Sequence, residues 1–287
     1  MTKTNQHSYS LGMGNSLHIG NGFTGIGFRE KEFKGAMDPL ALVDHYTMTA
    51  PTFGPHPHAG LSAVSILFED TIGKFHNRDS LGNDFDLEAG DLYWLKAGRG
   101  VVHDESPRKG AVVHGLQVFV NLPKRQKRSH PESLHVKSSD MPRIIEKGVN
   151  VRVVLGHSNK KEGKQSPATP MTILDGVITP KSQFSHAINA GDNIWCYLVS
   201  GTVEVVFGGE THRVTERQAL ALSGSSEAAS DNVTVINSSS SDAHFVLFNA
   251  QPIKEDFIQK GPFIMSTEEE ITEVEQAYSE GRLGRVG

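Results

Sequence analysis

Short segments of apolar residues, some continuous and some alternating with polar positions, recur along most of the chain. They are rich in β-branched and aromatic residues, which favour strands over helices. Turn-forming stretches separate them, such as Leu81-Gly82-Asn83-Asp84 and Gly208-Gly209-Glu210. The clearest predicted strands cover residues 62–68, 91–97, 112–121, 149–156, 193–201, 201–209 and 244–250. The chain is therefore predicted to be all-β over most of its length.

One segment near the end has a helical pattern instead. In STEEEITEVEQAYSEGRLG, residues 266–284, either Ser266 or Thr267 can cap the start of a helix, and glutamates fill the first turn. Gly281 is placed to end it. We predict a short C-terminal helix here.

The 287 residues exceed the usual size of one domain, which favours two domains over the alternative of one large barrel. Residues 65–98 have a weak counterpart in residues 196–225, each with strand, turn, strand, polar hairpin and a short strand before glycine. Two such halves predict paired β-sandwiches or jelly-roll barrels. A polar stretch between about 122 and 148 separates them, and we place the domains at 1–130 and 131–287. Its basic cluster Lys124–Arg128 is interpreted as a solvated loop.

The net charge of −5 argues against broad attraction to nucleic acid or to an anionic membrane, so we expect neither direct nucleic-acid binding nor membrane association. The N-terminal residues lack the pattern of a signal peptide, and no apolar run approaches a membrane span. A cytoplasmic location is expected. The single cysteine, Cys196, lies in the apolar run IWCYLV and is interpreted as a buried small hydrophobic residue.

Two histidine motifs carry the candidate chemistry. His56-Pro57-His58 and His103-Asp104-Glu105 each place two ligand-type side chains two positions apart, and alternate side chains on a strand share one face. Three imidazoles and a carboxylate suit iron, nickel, copper or manganese, and the lack of a thiolate disfavours a closed structural zinc site. Four protein ligands on an octahedral ion leave two places for substrate or dioxygen. We predict that both pairs bind one ion.

The C-terminal half has no comparable pairs. Its histidines, His157, His186, His212 and His244, form neither HxH nor HxE. The counterpart of AGRGVVHDE in this half is SGSSEAASD, residues 223–231, which contains no histidine. We predict that this half has a structural role.

Several motifs, in order along the chain, closely resemble the pirin family of bicupins. They are DPLALVDHY, GPHPHAG, NRDSLGND, AGDLYWLKAGRGVVHDESP, VHGLQVFVNLP, GPFIMSTEEEI and GRLG. The resemblance implies two tandem cupin (jelly-roll β-barrel) domains, a metal site in the first and none in the second. It carries the metal ligands over to His56, His58, His103 and Glu105. One divalent transition metal per chain is expected, Fe(II) first, with Ni, Cu, Mn or Co as alternatives.

Two departures from the family pattern concern the surroundings of the metal. Where the family usually reads HPHRGFETV, this chain reads HPHAGLSAV, so Ala59 and Ser62 replace an arginine and a glutamate. The hairpin LFEDTIGKFHNRDS is also longer than usual for the family. Because residues around metal ligands tune the ion, the substrate is less securely carried over than the ligands.

The resemblance leads to two hypotheses of function. The first is a metal-dependent dioxygenase of the quercetinase type, acting on a flavonol-like substrate and O2, with Glu105 as both ligand and catalytic base. The alternative is a redox-sensing metal protein that binds and regulates a transcription factor or metabolic enzyme; a metal site with little activity is a third reading. His114 is predicted to face the apolar side of its strand as a hydrogen-bonded core histidine, with a role in the cavity or beside the metal ligands as the alternative, and His45 is predicted to fix a loop by hydrogen bonds.

Overall fold

The structure is a computed structural model and describes residues 8–224 and 231–287. Its strands in chain order are β1 (Ser8–Gly12), β2 (Asn15–Ile19), β3 (Phe23–Arg29), β4 (Leu40–Met48), β5 (His56–His58), β6 (Leu61–Leu67), β7 (Phe75–Asp79), β8 (Asp84–Leu87), β9 (Leu92–Lys96), β10 (Val101–Pro107), β11 (Val113–Asn121), β12 (Glu132–Val136), β13 (Arg143–Glu146), β14 (Val149–Leu155), β15 (His157–Ser158), β16 (Lys161–Glu162), β17 (Met171–Ile178), β18 (Gln183–Ile188), β19 (Asn193–Ser200), β20 (Thr202–Phe207), β21 (Glu210–Thr215), β22 (Ala219–Ser223), β23 (Asp231–Ile236), β24 (Ala243–Ala250), β25 (Ile258–Lys260) and β26 (Phe263–Met265). The helix α1 covers Glu268–Ser279, and short 3₁₀ helices cover Glu30–Glu32, Lys124–Gln126 and Ser138–Asp140.

Each half of the chain forms a seven-stranded and a four-stranded antiparallel sheet. In the N-terminal half the strand orders are β12-β9-β6-β11-β4-β3-β2 and β5-β10-β7-β8. In the C-terminal half they are β1-β22-β19-β24-β17-β14-β13 and β18-β23-β20-β21. Two hairpins, β15-β16 and β25-β26, complete the described strands. The similar orders explain the weak sequence repeat.

Three large apolar cores follow from this arrangement, because each sheet has an apolar face to bury. One lies inside the N-terminal barrel and includes Tyr46 and Leu95. A second lies inside the C-terminal barrel and includes Val205. The third contains residues of both halves, among them Trp94 and Trp195. The two seven-stranded sheets therefore pack against each other, and the barrels share one core.

Both ends of the described chain cross to the opposite half. Strand β1 pairs with β22 at the edge of the C-terminal seven-stranded sheet. In the other direction, β26 and α1 contribute Phe263 and Ile271 to an apolar cluster with Ala59 and Val102 of the N-terminal barrel. Strand β12 pairs with β9, so the N-terminal seven-stranded sheet includes residues beyond 130. The domain boundary at residue 130 stays a prediction. The sequence did not indicate that both ends of the described chain pack on the opposite half.

Most of the predicted elements appear with small shifts at their ends. The seven predicted strands correspond to β6, β9, β11, β14, β19, β20 and β24. The helix begins after Thr267, whose side chain accepts a hydrogen bond from the backbone of Glu270, and Gly281 follows it with a φ of +73°. Residues 223–231, interpreted as the histidine-free counterpart of AGRGVVHDE, lie largely outside the described residues.

Candidate metal centre

The two histidine motifs lie on neighbouring strands. β5 carries His56 and His58, and it pairs antiparallel with β10, which carries His103 and Glu105. In the register of this pair, His103 stands opposite His56, and Val101 stands opposite His58. Because alternate residues share a face, this register brings the two predicted pairs to the same side of the sheet.

The three imidazole rings converge. The Nε2 atom of His103 lies 3.0 Å from the Nε2 of His58 and 3.0 Å from the Nε2 of His56. Two nitrogen ligands about 2.1 Å from an ion are about 3.0 Å apart at a right angle and about 3.4 Å apart at the tetrahedral angle. The observed separations therefore fit neighbouring positions of an octahedral ion.

The hydrogen bonds of the opposite ring nitrogens fix the orientation of two of these rings. His56 donates from Nδ1 to the Gly54 carbonyl at 2.9 Å, and His58 donates from Nδ1 to the Pro262 carbonyl at 3.2 Å. Because a carbonyl only accepts, the proton stays on Nδ1 and the Nε2 lone pair is free for a metal. The Nδ1 of His103 is buried without a hydrogen-bond partner among the described residues.

Burial keeps all three rings neutral at physiological pH. It lowers the pKa of His58 to about 3 and lowers the pKa values of His103 and His56, with mutual repulsion among the rings adding to the effect at His58 and His103. The Nε2 lone pairs of His56 and His58 both face the Nε2 of His103, and a cation placed among the three atoms would accept a lone pair from each ring. Among the described residues, these histidines form the one group of three or more candidate ligands within 4.8 Å of one another. The residues present therefore fit a divalent transition metal.

Glu105 stands apart from this group. Its side chain is 8% exposed, and its Oε1 accepts a hydrogen bond of 2.7 Å from the Ser65 hydroxyl. Burial raises the pKa of Glu105 to about 7, and nearby Asp104 adds to this, while the Ser65 hydrogen bond acts in the opposite direction. The distances bring the three histidines together without Glu105, whose role as the fourth ligand stays a prediction.

A mainly apolar cavity of about 140 Å³ opens beside the histidines. His56, His58 and Glu105 line it together with Phe23, Leu42, Asp44, Tyr46, Met48, Phe53, Phe75, Gln117 and Phe119. A larger groove of about 1060 Å³ lies elsewhere, and charged residues such as Lys31 and Lys254 line it without any histidine. The smaller cavity is the one that combines candidate metal ligands with aromatic walls, as small-molecule sites do.

The residues that replace the family arginine and glutamate are both fully buried. Ala59 packs with Phe263 in the apolar cluster beneath α1. Ser62 is in β6, and its hydroxyl has no hydrogen-bond partner among the described residues. At position 59, alanine therefore contacts the C-terminal segment in place of the family arginine. At position 62, serine supplies no charge in place of the family glutamate.

Two further histidines lie between the barrels. The Nε2 atoms of His45 and His114 are 2.7 Å apart, and the Nδ1 of His114 is 2.8 Å from Asp70. His114 is hydrogen-bonded as predicted. The prediction for His45 was wrong: it is in strand β4, and its Nδ1 is 2.6 Å from the Tyr197 hydroxyl of the other barrel, so it links the halves rather than fixing a loop.

The sequence did not identify Ser65, Gln117 or Lys127 as relevant to the site. Ser65 and Gln117 look like ordinary polar residues within strands, and only the pairing of β11 with β6 brings them together, 3.1 Å apart, beside Glu105. Lys127 belongs to the basic cluster that was interpreted as solvated, and this was wrong for Lys127, which is 1% exposed. Its oxygen partners come from distant segments, so no local pattern could reveal them.

Paired barrels with three converging histidines, two of which line a cavity, define a bicupin with a candidate metal site of nitrogen ligands. The family model "Pirin" matches residues 27–120, and "Pirin C-terminal cupin domain" matches residues 173–284. A pirin-like protein of Solanum lycopersicum is 33% identical over 252 residues, covering 88% of this chain and 82% of its own length. Pirin of Homo sapiens is 32% identical over 255 residues, covering 87% and 86%. The chain belongs to the pirin family.

Solved structures share the fold. A quercetin 2,3-dioxygenase from Acinetobacter baumannii superposes with a TM-score of 0.83 at 24% identity, covering 96% of this chain and 97% of its own. The bacterial pirin YhhW from Escherichia coli, in complex with nickel(II), has a TM-score of 0.65 at 17% identity and covers 85% and 100%. The all-β bicupin fold predicted from the sequence is confirmed. No helix in the described residues has the length and hydrophobicity needed to span a membrane.

Proposed function

We propose that this chain is a metal-dependent dioxygenase of the quercetin 2,3-dioxygenase type. The observation that carries the proposal is the convergence of the Nε2 atoms of His56, His58 and His103, two of which, His56 and His58, line an apolar cavity. His56, His58, His103 and Glu105 hold the metal in this proposal, and Fe(II) is the expected ion, with Ni, Cu, Mn or Co as alternatives. When bound, such an ion supplies a Lewis acid and a template for substrate oxygens and dioxygen.

The protein's own groups have separate tasks under this proposal. The aromatic walls of the cavity hold an aromatic substrate and exclude water. Ser65 holds one oxygen of Glu105, and the other oxygen would serve as a metal ligand or, when the carboxylate is detached from the metal, would take the hydroxyl proton of the substrate. Structural neighbours named quercetin 2,3-dioxygenase support the reaction type through their fold.

The size of the cavity bears on how a substrate is held. A cavity of about 150 Å³ accommodates benzene. The cavity volume of about 140 Å³ is therefore close to that of one aromatic ring. A flavonol would place one ring inside and the others at the opening, where Phe53 is 47% exposed.

The test is oxygen consumption with quercetin by the Fe(II)-loaded protein. The expected result is quercetin-dependent uptake that is lost in the metal-free protein and in His58→Ala. Absence of uptake in forms loaded with iron, nickel, copper and manganese would remove the quercetinase proposal.

A metal-sensing binding protein is the second candidate, and one contact favours it. The Pro262 carbonyl that accepts from His58 belongs to the C-terminal segment leading to α1, so a candidate ligand touches an element with an exposed surface. Such a sensor consumes no oxygen with flavonols, and its binding to a protein partner follows the oxidation state of the metal. The cytoplasmic location and the lack of direct nucleic-acid binding also remain predictions.

A further inference from the structure

The C-terminal arm, defined as residues 258–284, contains β25, β26 and α1 and lies on the N-terminal barrel. Phe263 and Ile271 of the arm pack with Ala59 and Val102. Ala59 and Val102 each lie next to a candidate ligand, His58 and His103 respectively. The arm therefore covers the outside of the strands whose other face carries the histidines.

Backbone contacts join the arm directly to the strand that carries His58. The Ile264 N–H donates to the Ala59 carbonyl at 3.0 Å, and Ala59 forms an isolated bridge with Phe263. The next residue, Gly60, has a φ of +72°, and a Cβ atom there would overlap the Ile264 carbonyl. This close approach, together with the 3.2 Å contact between His58 Nδ1 and the Pro262 carbonyl, places three consecutive residues of the arm against residues 58–60.

Lys127 holds the two segments together. Its Nζ donates to the carbonyls of Gly60 and Ile264, both at 3.0 Å, and to Asn121 Oδ1 at 2.5 Å. An ammonium group has three protons, and all three have acceptors here. The side chain is 1% exposed, and burial lowers the pKa of Lys127 to about 8, with Glu255 and Glu270 acting in the opposite direction from beyond ion-pair distance. Burying an ammonium group costs free energy even when neutral oxygens accept its hydrogen bonds, and a lysine in a solvated loop does not bear this cost.

We propose that the C-terminal arm and the metal centre are coupled through residues 58–60, with Lys127 as the positioning residue. The Pro262 carbonyl holds the tautomer and ring orientation that His58 needs as a ligand, and Lys127 fixes that carbonyl's segment in place. Because coupling between two binding events is reciprocal, a metal on His58 stabilises the docked arm by the factor by which the docked arm strengthens metal binding. The proposal rests on the metal site of the proposed function. Under it, the arm connects that site to the exposed helix α1.

The first measurement is the affinity of the full-length protein for Co(II), by competition with a chelating dye, with the visible spectrum of bound Co(II) recorded as a report on ligand geometry. Lys127→Met should weaken binding by roughly 10- to 100-fold, the usual effect of disturbing a partner of a metal ligand, and should alter the spectrum. Arg128→Met is the matched control, because Arg128 is the adjacent basic residue and contacts Glu273 of the arm at 2.7 Å from an exposed position. Exposed ion pairs contribute little, so its affinity and spectrum should match the wild type.

A second control separates coupling from general loss of stability. Val205→Ala removes buried volume from the core of the C-terminal barrel, and it should leave Co(II) affinity unchanged.

The second measurement uses the wild-type protein alone and does not depend on any variant folding. Hydrogen exchange followed by mass spectrometry, with and without Co(II), should show slower exchange in residues 258–265 when the metal is bound. Exchange in β20 and β21 should not change.

The outcomes distinguish the two proposals. A wild-type protein that binds no Co(II) overturns the metal site and the coupling together. A wild-type protein that binds Co(II) with no change in exchange of the arm, or a folded Lys127→Met variant with wild-type affinity, overturns the coupling and leaves the metal site standing. Failure to oxidise quercetin affects neither measurement.

Discussion

Ser65→Ala is expected to weaken metal binding through Glu105. The Ser65 hydroxyl donates to Glu105 Oε1 at 2.7 Å, and it is the one side chain hydrogen-bonded to Glu105 among the described residues. The substitution removes this donor and little volume, so the carboxylate stays buried but loses the contact that sets its direction.

The size of the effect follows from the kind of bond that is lost. A hydrogen bond to a charged group contributes about 1.5–3 kcal/mol net. At about 1.4 kcal/mol per factor of ten, the loss corresponds to at most roughly 10- to 150-fold in affinity, because the same hydrogen bond is also present without the metal. This overlaps the roughly 10- to 100-fold range that is usual for removing a hydrogen-bond partner of a metal ligand.

The assay is Co(II) affinity by dye competition for the wild type, Ser65→Ala and Ser65→Thr. Threonine keeps the hydroxyl, so Ser65→Thr should retain most of the affinity that Ser65→Ala loses. Equal affinities for the wild type and Ser65→Ala, alongside a weakened Glu105→Gln, would refute the orienting role of Ser65. Equal losses in the alanine and threonine variants would show that space, rather than the hydroxyl, is what matters.

Further predictions concern turnover, metal content and stability. Glu105→Gln should slow turnover by roughly 10²- to 10⁴-fold with a smaller loss of metal, because the amide cannot accept a proton, whereas His58→Ala should lower metal content and turnover together; oxygen uptake and elemental analysis of the same samples check this. Metal analysis should give one equivalent per chain, and more than one equivalent retained after His103→Ala would contradict a metal-free C-terminal barrel. Arg152→Met should destabilise the fold by about 3–5 kcal/mol in urea titrations, because it leaves the buried carboxylate of Asp175 without its guanidinium. Although burial opposes it, Arg152 followed by His244 lowers the pKa of Asp175 to about 2 from its ordinary 3.8, so the stability from this group is present above pH 3.8 and is lost as the pH falls through about 2. That acid-induced loss should be smaller in Arg152→Met.

The sequence was sufficient where the relevant signal is local. Two ligand-type residues two positions apart on a strand must share a face, so each histidine motif could be recognised before the strands were paired. The helix cap at Thr267 and the stop at Gly281 are also local features, and both are confirmed.

The rest depends on contacts between distant positions. The acceptor for His58 Nδ1 is 204 residues away, and nothing around Pro262 in the sequence marks it as a partner of a ligand. Lys127 lies in a basic run, where a solvated side chain is the usual outcome. Its burial depends on oxygens from Gly60, Asn121 and Ile264, which only the folded chain brings together. The same holds for His45, whose partner Tyr197 is in the other barrel.

The most direct test of the proposed metal centre is a crystal structure of the Fe(II)-loaded protein with anomalous diffraction recorded at the iron edge. We predict one iron per chain, bound by Nε2 of His56, His58 and His103 at about 2.0–2.2 Å, with an oxygen of Glu105 in a fourth position. Iron bound at other residues, or a protein exposed to Fe(II) in which these three histidines remain without a metal, would contradict the central claim.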